Sequence, residues 1–514
     1  MFRRILIANR GEIALRVLRT AREMGVEAAA VYSDFDRRSL HARLADVAVP
    51  LGGATPAQSY LAPEKIIAAA KATKSEAVHP GYGFLSENED FAQAVIDAGL
   101  VWIGPPPSAI HAMGDKIESR RLMQAAGVPI VPGIAEALAD PAQAVKEAEK
   151  VGYPIALKAS AGGGGKGIRV VREAAQVESA FRAASAEALK AFGDGRVYLE
   201  RYLDRPRHVE IQVLFDAHGT GVHLGERECS VQRRHQKLIE ESPSPVVDAA
   251  LRERMGAVAL AAARAVGYVN AGTVEFLYSD VRGKPEFYFL EMNTRLQVEH
   301  PVTEMVTGLD LVREQLRVAS GEPLGYGQSD VRFSGHALEV RLNAEDPANG
   351  FLPSTGTIQN LRFPGGPWVR IDSGLYRGME VGLDYDPMLG KVIVWAPTRA
   401  AAIERMRRAL AELNVGGVRT SAPAALAVLE DERFRSGRFD THLLEGIDFK
   451  GRVGSEVAAA AIAAALHRWH DARRRALAGR AGDRAGWLAR RTDGLAARHA
   501  RAPFPSDERS RGDA

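Results

Sequence analysis

Between an apolar run ending at Lys158 and a second beginning at Ile168, the chain reads Gly162-Gly163-Gly164-Gly165-Lys166-Gly167. This stretch restricts the fold more than any other. Four consecutive glycines suit neither a helix nor a strand interior, so the extended segments Val151–Lys158 and Ile168–Val171 must be joined by a loop of nearly bare backbone. Such a loop can approach a ligand closely and offer free amides to phosphate oxygens, or it can be a flexible hairpin. It is not a Walker A loop, because Gly167 rather than Ser or Thr follows Lys166 and the next segment is strand-like. Lys158, at the end of the preceding strand, is either a solvated lysine or a cation that neutralises a phosphate.

Upstream, the first 115 or so residues alternate strand and helix patterns. Ile5–Ala8, Ala28–Tyr32, Ala77–Val78 and Leu100–Ile103 are expected strands, and Ile13–Met24, 63–74 and 88–98 expected helices. This alternation predicts a doubly wound α/β sheet. With no Gly-x-Gly-x-x-Gly after the first strand, a nicotinamide cofactor is not supported. Downstream the pattern is α+β. Val197–Leu203, Val209–Phe215, Thr273–Tyr278 and Phe287–Met292 suit strands, the last two antiparallel, and Arg252–Val266 and Arg399–Glu412 suit helices. Four segments are expected: 1–115, 116–330, 331–450 and an Ala/Arg-rich tail at 451–514, partly helical and then disordered. At roughly 150 residues per domain, 514 residues fit that count.

Composition excludes several classes. A hydrophobic fraction of 46% with 25% charged residues is a globular balance, and no apolar run reaches the ~18–20 residues of a membrane span. The apolar run at the N-terminus is too short for a secretory signal. Cys229 is the only cysteine, so no intramolecular disulfide or Cys-rich zinc site can form, and a reducing, cytoplasmic setting is expected. The net charge of +3 belongs to the tail, where thirteen Arg and no Lys face seven acids; the remainder is slightly acidic. Binding to nucleic acid is therefore not expected. The short Arg233-Arg234-His235-Gln236-Lys237 cluster is interleaved with acids and lacks an aromatic platform.

Two carboxylates stand in apolar runs, Glu275 in Thr273–Leu277 and Glu291 in Leu290–Asn293. A buried carboxylate needs a partner. Either each is salt-bridged to an arginine, or neighbouring strands bring both together with Asn293 as oxygen ligands suited to Mg²⁺. From Glu291 to Pro301 the chain packs Asn293, Arg295, Gln297, Glu299 and His300 close together. Arg295 can hold a small anion, and Glu299 can act as a general base if a substrate proton lies within reach. Cys229 is expected to be a packed residue, not a nucleophile.

These strings resemble the biotin carboxylase component of biotin-dependent carboxylases, in the ATP-grasp superfamily. The resemblance rests on Ile7–Ala14, His79–Asn88, the Gly162–Gly167 loop, Arg207–Val213 and Glu291–Glu304, and spans Ile5 to about Phe449. It implies a Rossmann-like pre-ATP-grasp domain, an ATP-grasp domain with a mobile lid at about 130–203, and a C-terminal biotin carboxylase domain. It also implies roles. Lys116, Lys158, Gly163, Gly164, Gly165, Lys166, Gly167, Glu200, Leu203, His208, Gln232, His235, Glu275, Leu277 and Glu291 would bind ATP. Glu275, Glu291 and Asn293 would hold Mg²⁺ or Mn²⁺. Lys237, Arg295, Gln297 and Val298 would form a bicarbonate pocket. Glu299 would be the base, and Arg341 would stabilise the biotin enolate, with Lys237 and Arg295 also catalytic.

Two departures, Ala161 and Lys166, are expected to preserve the lid, and 279–286 is expected to be a long exposed turn. No Met-Lys-Met string occurs. Biotin should therefore arrive on a separate carrier protein, with the carboxyltransferase on another chain, in an acetyl- or propionyl-CoA carboxylase. A two-subunit pyruvate carboxylase is the alternative. Arg16 and Arg19 match a homodimer contact of bacterial members, and the tail is expected to dock a partner. Half of a carbamoyl phosphate synthase and a non-catalytic scaffold are weaker readings, the first because no tandem repeat is present.

Overall fold

The computed structural model describes residues 1–134, 136–160, 168–281, 284–450 and 462–473. It divides into a unit of Met1–Phe449 and a second of Lys450–Ala514. The glycine loop and Ala161 lie outside the described residues, as does most of the tail.

The N-terminal sheet is parallel throughout, in the order Val47–Pro50, Glu27–Tyr32, Arg4–Ile7, Ala77–His79, Val101–Trp102. The strand order reverses between Arg4–Ile7 and Ala77–His79, and in such sheets the crevice at a reversal is where ligands gather. Two sequence strings meet there. The Asn9 amide nitrogen donates to the carbonyls of Pro80 (2.7 Å) and Tyr82 (2.8 Å). Gly81 has φ +64°, and a Cβ there would sit 2.9 Å from the Asn9 amide nitrogen. That close approach explains the glycine. Helix Gly11–Glu23 buries Ile13, Val17, Leu18 and Ala21 in a core shared with Leu214, Leu224, Ala271 and Leu311, tying this sheet to the next.

Residues 155–159, 168–171 and 197–201 make a three-stranded antiparallel sheet with a core of its own around Ile155, Leu157, Val177 and Leu199. The predicted strand from Val151 is shorter, because Val151 closes helix Pro141–Val151 and extended pairing begins at Ile155.

The largest sheet has eight antiparallel strands, in the order 284–293, 270–281, 207–215, 221–233, 236–242, 336–343, 388–396, 369–373. It runs without a break past residue 330, since Ile239–Ser242 pairs with Ala337–Val340. Residues 279–281 and 284–286 belong to its outer strands, paired from Ser279–Glu286 to Val281–Lys284, so the expected long turn at 279–286 is replaced by strand. No helix among the described residues is long and apolar enough to cross a membrane.

Candidate active site

Sheet register aligns a row of charge. Glu291 stands opposite Glu275, Glu275 opposite Glu210, and Glu210 opposite Arg227, on four successive strands. Like charges directly across a sheet repel, so this row needs cations. Arg227 is fully buried and donates to Glu210 (2.6 Å), Gln212 (2.7 Å), Thr273 (2.9 Å) and Thr303 (3.0 Å). Lys237 gathers the rest: its Nζ donates to Glu299 (2.6 Å), Glu210 (2.7 Å) and Glu275 (3.1 Å).

Glu299 is completely buried and also accepts from Arg341 (2.9 Å), whose Nε donates to Glu240 (2.5 Å). Burial alone would raise the Glu299 carboxyl, but Lys237, Arg341 and Arg227 hold it well below the usual range. It is therefore a carboxylate. Burial likewise works against Glu275, and Lys237 with His208, 2.9 Å away, holds it low. Glu291 behaves oppositely: burial and the facing Glu275 push it up against the pull of Lys116 at 3.8 Å.

Two carboxylates on facing strands, one of them held up by the other, fit a divalent cation, whose charge would relieve that repulsion. Asn293 donates its amide to Glu275 (2.9 Å), while its oxygen accepts from Arg295 (3.2 Å) and would have to turn from it to ligate a metal. His208, Glu210 and Glu275 also cluster closely enough for a metal, but Arg227 and Lys237 already neutralise Glu210.

The segment after strand 284–293 is pinned at several points. Arg295 donates to Glu87 (2.8 Å) and Gln297 (2.9 Å), the Thr294 N–H donates to Glu87 (3.0 Å), and Gln297 reaches Glu275 (3.3 Å). Val298, half-buried, lies between Gln297 and Glu299.

The second wall is the small sheet. Lys158 is ion-paired with buried Glu200, which also accepts from Arg120 (2.8 Å). Half-buried Leu203 follows that strand. Lys116 opens the helix Lys116–Ala125. Gln232 approaches His208 (3.5 Å), and Leu277 is the register partner of His208. His235 is exposed at a two-residue hairpin turn in which it and Arg234 both have positive φ (65° and 49°). Gly163, Gly164, Gly165, Lys166 and Gly167 lie outside the described residues.

Cys229 is buried 3.9 Å from Glu299, and burial followed by Glu210 pushes its thiol well above the usual range, which leaves no nucleophilic thiolate. The structure adds Glu210, Arg227, Glu87, Glu240 and Lys391, which sequence reasoning did not single out. A findable signal existed for Glu210, since His208, Glu210 and Gln212 alternate along one strand face.

A parallel sheet with ligand-side loops, a small antiparallel sheet carrying the Lys158–Glu200 ion pair, and a large antiparallel sheet bearing paired carboxylates define an ATP-grasp ligase. Residues 1–110 match the family model for the biotin carboxylase N-terminal domain, 115–326 the carbamoyl-phosphate synthase L chain ATP binding domain, and 339–446 the biotin carboxylase C-terminal domain. The chain is 49% identical to the propionyl-CoA carboxylase alpha chain of Ruegeria pomeroyi, over 93% of this chain and 74% of that one. It is 51% identical to a pyruvate carboxylase subunit of Methanothermobacter thermautotrophicus, over 88% and 92%. Its fold matches the biotin carboxylase domain dimer of Hydrogenobacter thermophilus 2-oxoglutarate carboxylase, in complex with MgADP, ADP and bicarbonate, with TM-score 0.83 at 46% identity, over 87% of this chain and 97% of that one. The chain belongs to the biotin carboxylase family, and it is an enzyme of the ATP-dependent ligase class.

Proposed function

We propose that this chain uses ATP and bicarbonate to carboxylate biotin borne on a separate carrier protein, as the first half-reaction of an acetyl- or propionyl-CoA carboxylase. The carrying observation is the buried carboxylate Glu299 held between Lys237 and Arg341. Bicarbonate is a poor nucleophile, and a carboxylate within reach of its proton makes it a better one. Arg295, Lys237, Gln297 and the Val298 backbone form the anion pocket. As the substrate anion enters, it competes for Lys237, which weakens that lysine's hold on Glu299 and raises its basicity. Attack on the γ-phosphorus of ATP breaks its bond to the β–γ bridging oxygen, releasing ADP and giving carboxyphosphate, which breaks down to CO₂ and phosphate.

Lys116 and Lys158 offset charge on the transferring phosphoryl group. Glu275 and Glu291, with Asn293 once its oxygen turns from Arg295, would hold Mg²⁺ or Mn²⁺, which would supply further neutralisation of phosphate charge. Phosphate then takes the ureido proton of biotin, and Arg341 pairs with the enolate oxygen that attacks CO₂. Water would destroy carboxyphosphate, so a closing lid is useful. The separate core of the small sheet supports a lid at about 130–203, under which the glycine loop would cover the phosphates. The domain divisions at 115, 330 and 450 are part of the same reading.

The acceptor class rests on coverage. The likeness to the propionyl-CoA carboxylase chain takes in 93% of this chain, a share that the 449 residues before the tail cannot supply, whereas the pyruvate carboxylase likeness takes in 88%. A two-subunit pyruvate carboxylase remains the second reading. A homodimer is also part of the proposal, since the Hydrogenobacter relative is a dimer. Arg19 is exposed for such a contact. Arg16 is instead buried within the chain on Glu304 (2.6 Å) and Asp310 (2.7 Å), so it would support the contact rather than make it.

The test is ADP release with MgATP and bicarbonate, with and without free biotin, beside Glu299→Gln. Biotin-stimulated, bicarbonate-dependent release should fall by at least about a hundredfold in the variant, the usual scale for losing a general base. ATP turnover indifferent to biotin would point instead to another ATP-grasp ligase.

A further inference from the structure

Lys391 is one of the largest fully buried side chains, although it stands near the start of an apolar strand and reads in sequence as a solvated end. A buried ammonium is costly unless it is paired and hydrogen-bonded. Its Nζ donates to the carbonyl of Val298 (2.6 Å) and lies 3.3 Å from Glu12. Glu12 stands in the first turn of helix Gly11–Glu23, inside the Ile7–Ala14 string that the proposed chemistry leaves unused. Neither Glu12 oxygen makes a hydrogen bond among the described residues, so Lys391 is its compensating charge.

The other charged neighbours are spoken for or weaker. Asp372, opposite Lys391 in the sheet, is held by Arg370 through both oxygens (2.7 and 3.0 Å). Glu339, on the adjoining strand, is fully buried, and burial pushes it well above the usual carboxyl range; its pull on Lys391 ranks behind that of Glu12. Arg370 repels Lys391, and Glu12, Glu339 and Asp372 together outweigh its burial, keeping it charged.

We infer that Lys391, backed by Glu12, is a positioning residue for the bicarbonate pocket: it fixes the Val298 carbonyl and with it the peptide that links Val298 to Glu299. Three stretches distant in sequence converge on that peptide: a helix beside the parallel sheet, a strand of the large sheet and the 294–299 segment. The link has a consequence for specificity of effect. Lys391 touches none of the residues assigned to the nucleotide, so its loss should be felt by the anion and not by ATP.

The inference rests on the proposed bicarbonate pocket, and its test separates the two. Lys391→Met, Lys391→Arg, Glu12→Gln and Arg295→Ala would be compared by the KM for bicarbonate in biotin-stimulated ADP release and by the Kd for ATP. Lys391→Met should raise the bicarbonate KM by about tenfold or more, the usual scale for a lost hydrogen bond to a charged group. Its Kd for ATP should stay within about twofold, as for sites that share no partner. Lys391→Arg should recover part of the loss, and Glu12→Gln should move the KM in the same direction by less. A bicarbonate KM unchanged in Lys391→Met that still binds ATP, with Arg295→Ala raising it, would overturn this inference alone. Unchanged values in both would overturn the pocket and the inference together. Should Lys391→Met fail to bind ATP, Glu12→Gln, which preserves side-chain volume, decides: an unchanged KM there overturns the inference.

Discussion

Charge compensation at single positions decides this site. Arg227 has no exposed surface and its guanidinium serves Glu210, Gln212, Thr273 and Thr303. Arg227→Met would keep the packing but leave buried Glu210 with Lys237 as its one hydrogen-bonded cation among the described residues, His208 standing off at 3.8 Å. Breaking a buried pair from one side costs about 3–5 kcal/mol, and equilibrium denaturation should show a loss of that order. A loss below about 1 kcal/mol, the range of an exposed pair, would mean that Lys237 alone suffices. Glu275 is conspicuous in sequence as a carboxylate in an apolar run and Glu299 as part of a run of mixed charge, whereas the roles of Lys237 and Arg341 come from the family resemblance. Arg227 was not singled out. It lies 17 residues from Glu210 along the chain, and only strand pairing sets the two opposite. Lys391 was hidden for a similar reason, since a lysine near the start of an apolar strand looks the same in sequence whether its tip meets water or a buried carbonyl.

Elements with strong periodicity were legible to within a few residues. Helix Arg399–Glu412 falls where its pattern places it, and four of the five parallel strands fall within two residues of expectation at each end, whereas Val47–Pro50 was not expected as a strand. The long hairpin 221–242 was not read as strand, because its polar content (Glu226, Arg227, Glu228, Gln232) defeats a hydrophobicity pattern when those groups pair inside the sheet. Two buried histidines give the N-terminal elements a pH signature. Burial, opposed by Asp36 and aided by Arg10, takes His41 down to about 4, and burial takes His79 to about 4. Between the ordinary value of 6.5 and about 4, the unfolded chain binds protons that the folded chain does not. Their contribution to stability is therefore whole above pH 6.5 and is lost as pH falls toward 4. Glu12, raised to about 7 by burial, works in the opposite sense, so the clean observable is a difference. Relative to the native chain, His41→Gln should lose less stability on going from pH 7 to pH 5, by up to about 1.4 kcal/mol per pH unit. Parallel urea curves for the two proteins at both pH values, with an unchanged gap, would show that His41 titrates normally.

At the scale of the whole molecule, the apolar cores among the described residues are built from residues before the tail, and residues 1–449 form one compact unit around a sheet that continues past residue 330. The tail follows different rules. In its described helix, Ile462, Leu466 and Trp469 are spaced to share one face, and each is more than half exposed. Among the described residues, His467 pairs with Asp471, at 3.5 Å and four residues on. A stripe of three apolar residues on an Arg-rich segment contributes to no core among the described residues, and none of the residues assigned to the site or to its support lies beyond Lys391. Ending the chain at Lys450 should therefore leave free-biotin-stimulated ADP release within about twofold of the full chain, as expected for parts that share no contacts. If the tail docks a partner, the same truncation should lower turnover only when biotin is presented on its carrier with the carboxyltransferase present. A collapse of the free-biotin reaction on truncation would instead make the tail part of the catalytic body, and the division at residue 449 would then describe the chain's contacts but not its working unit.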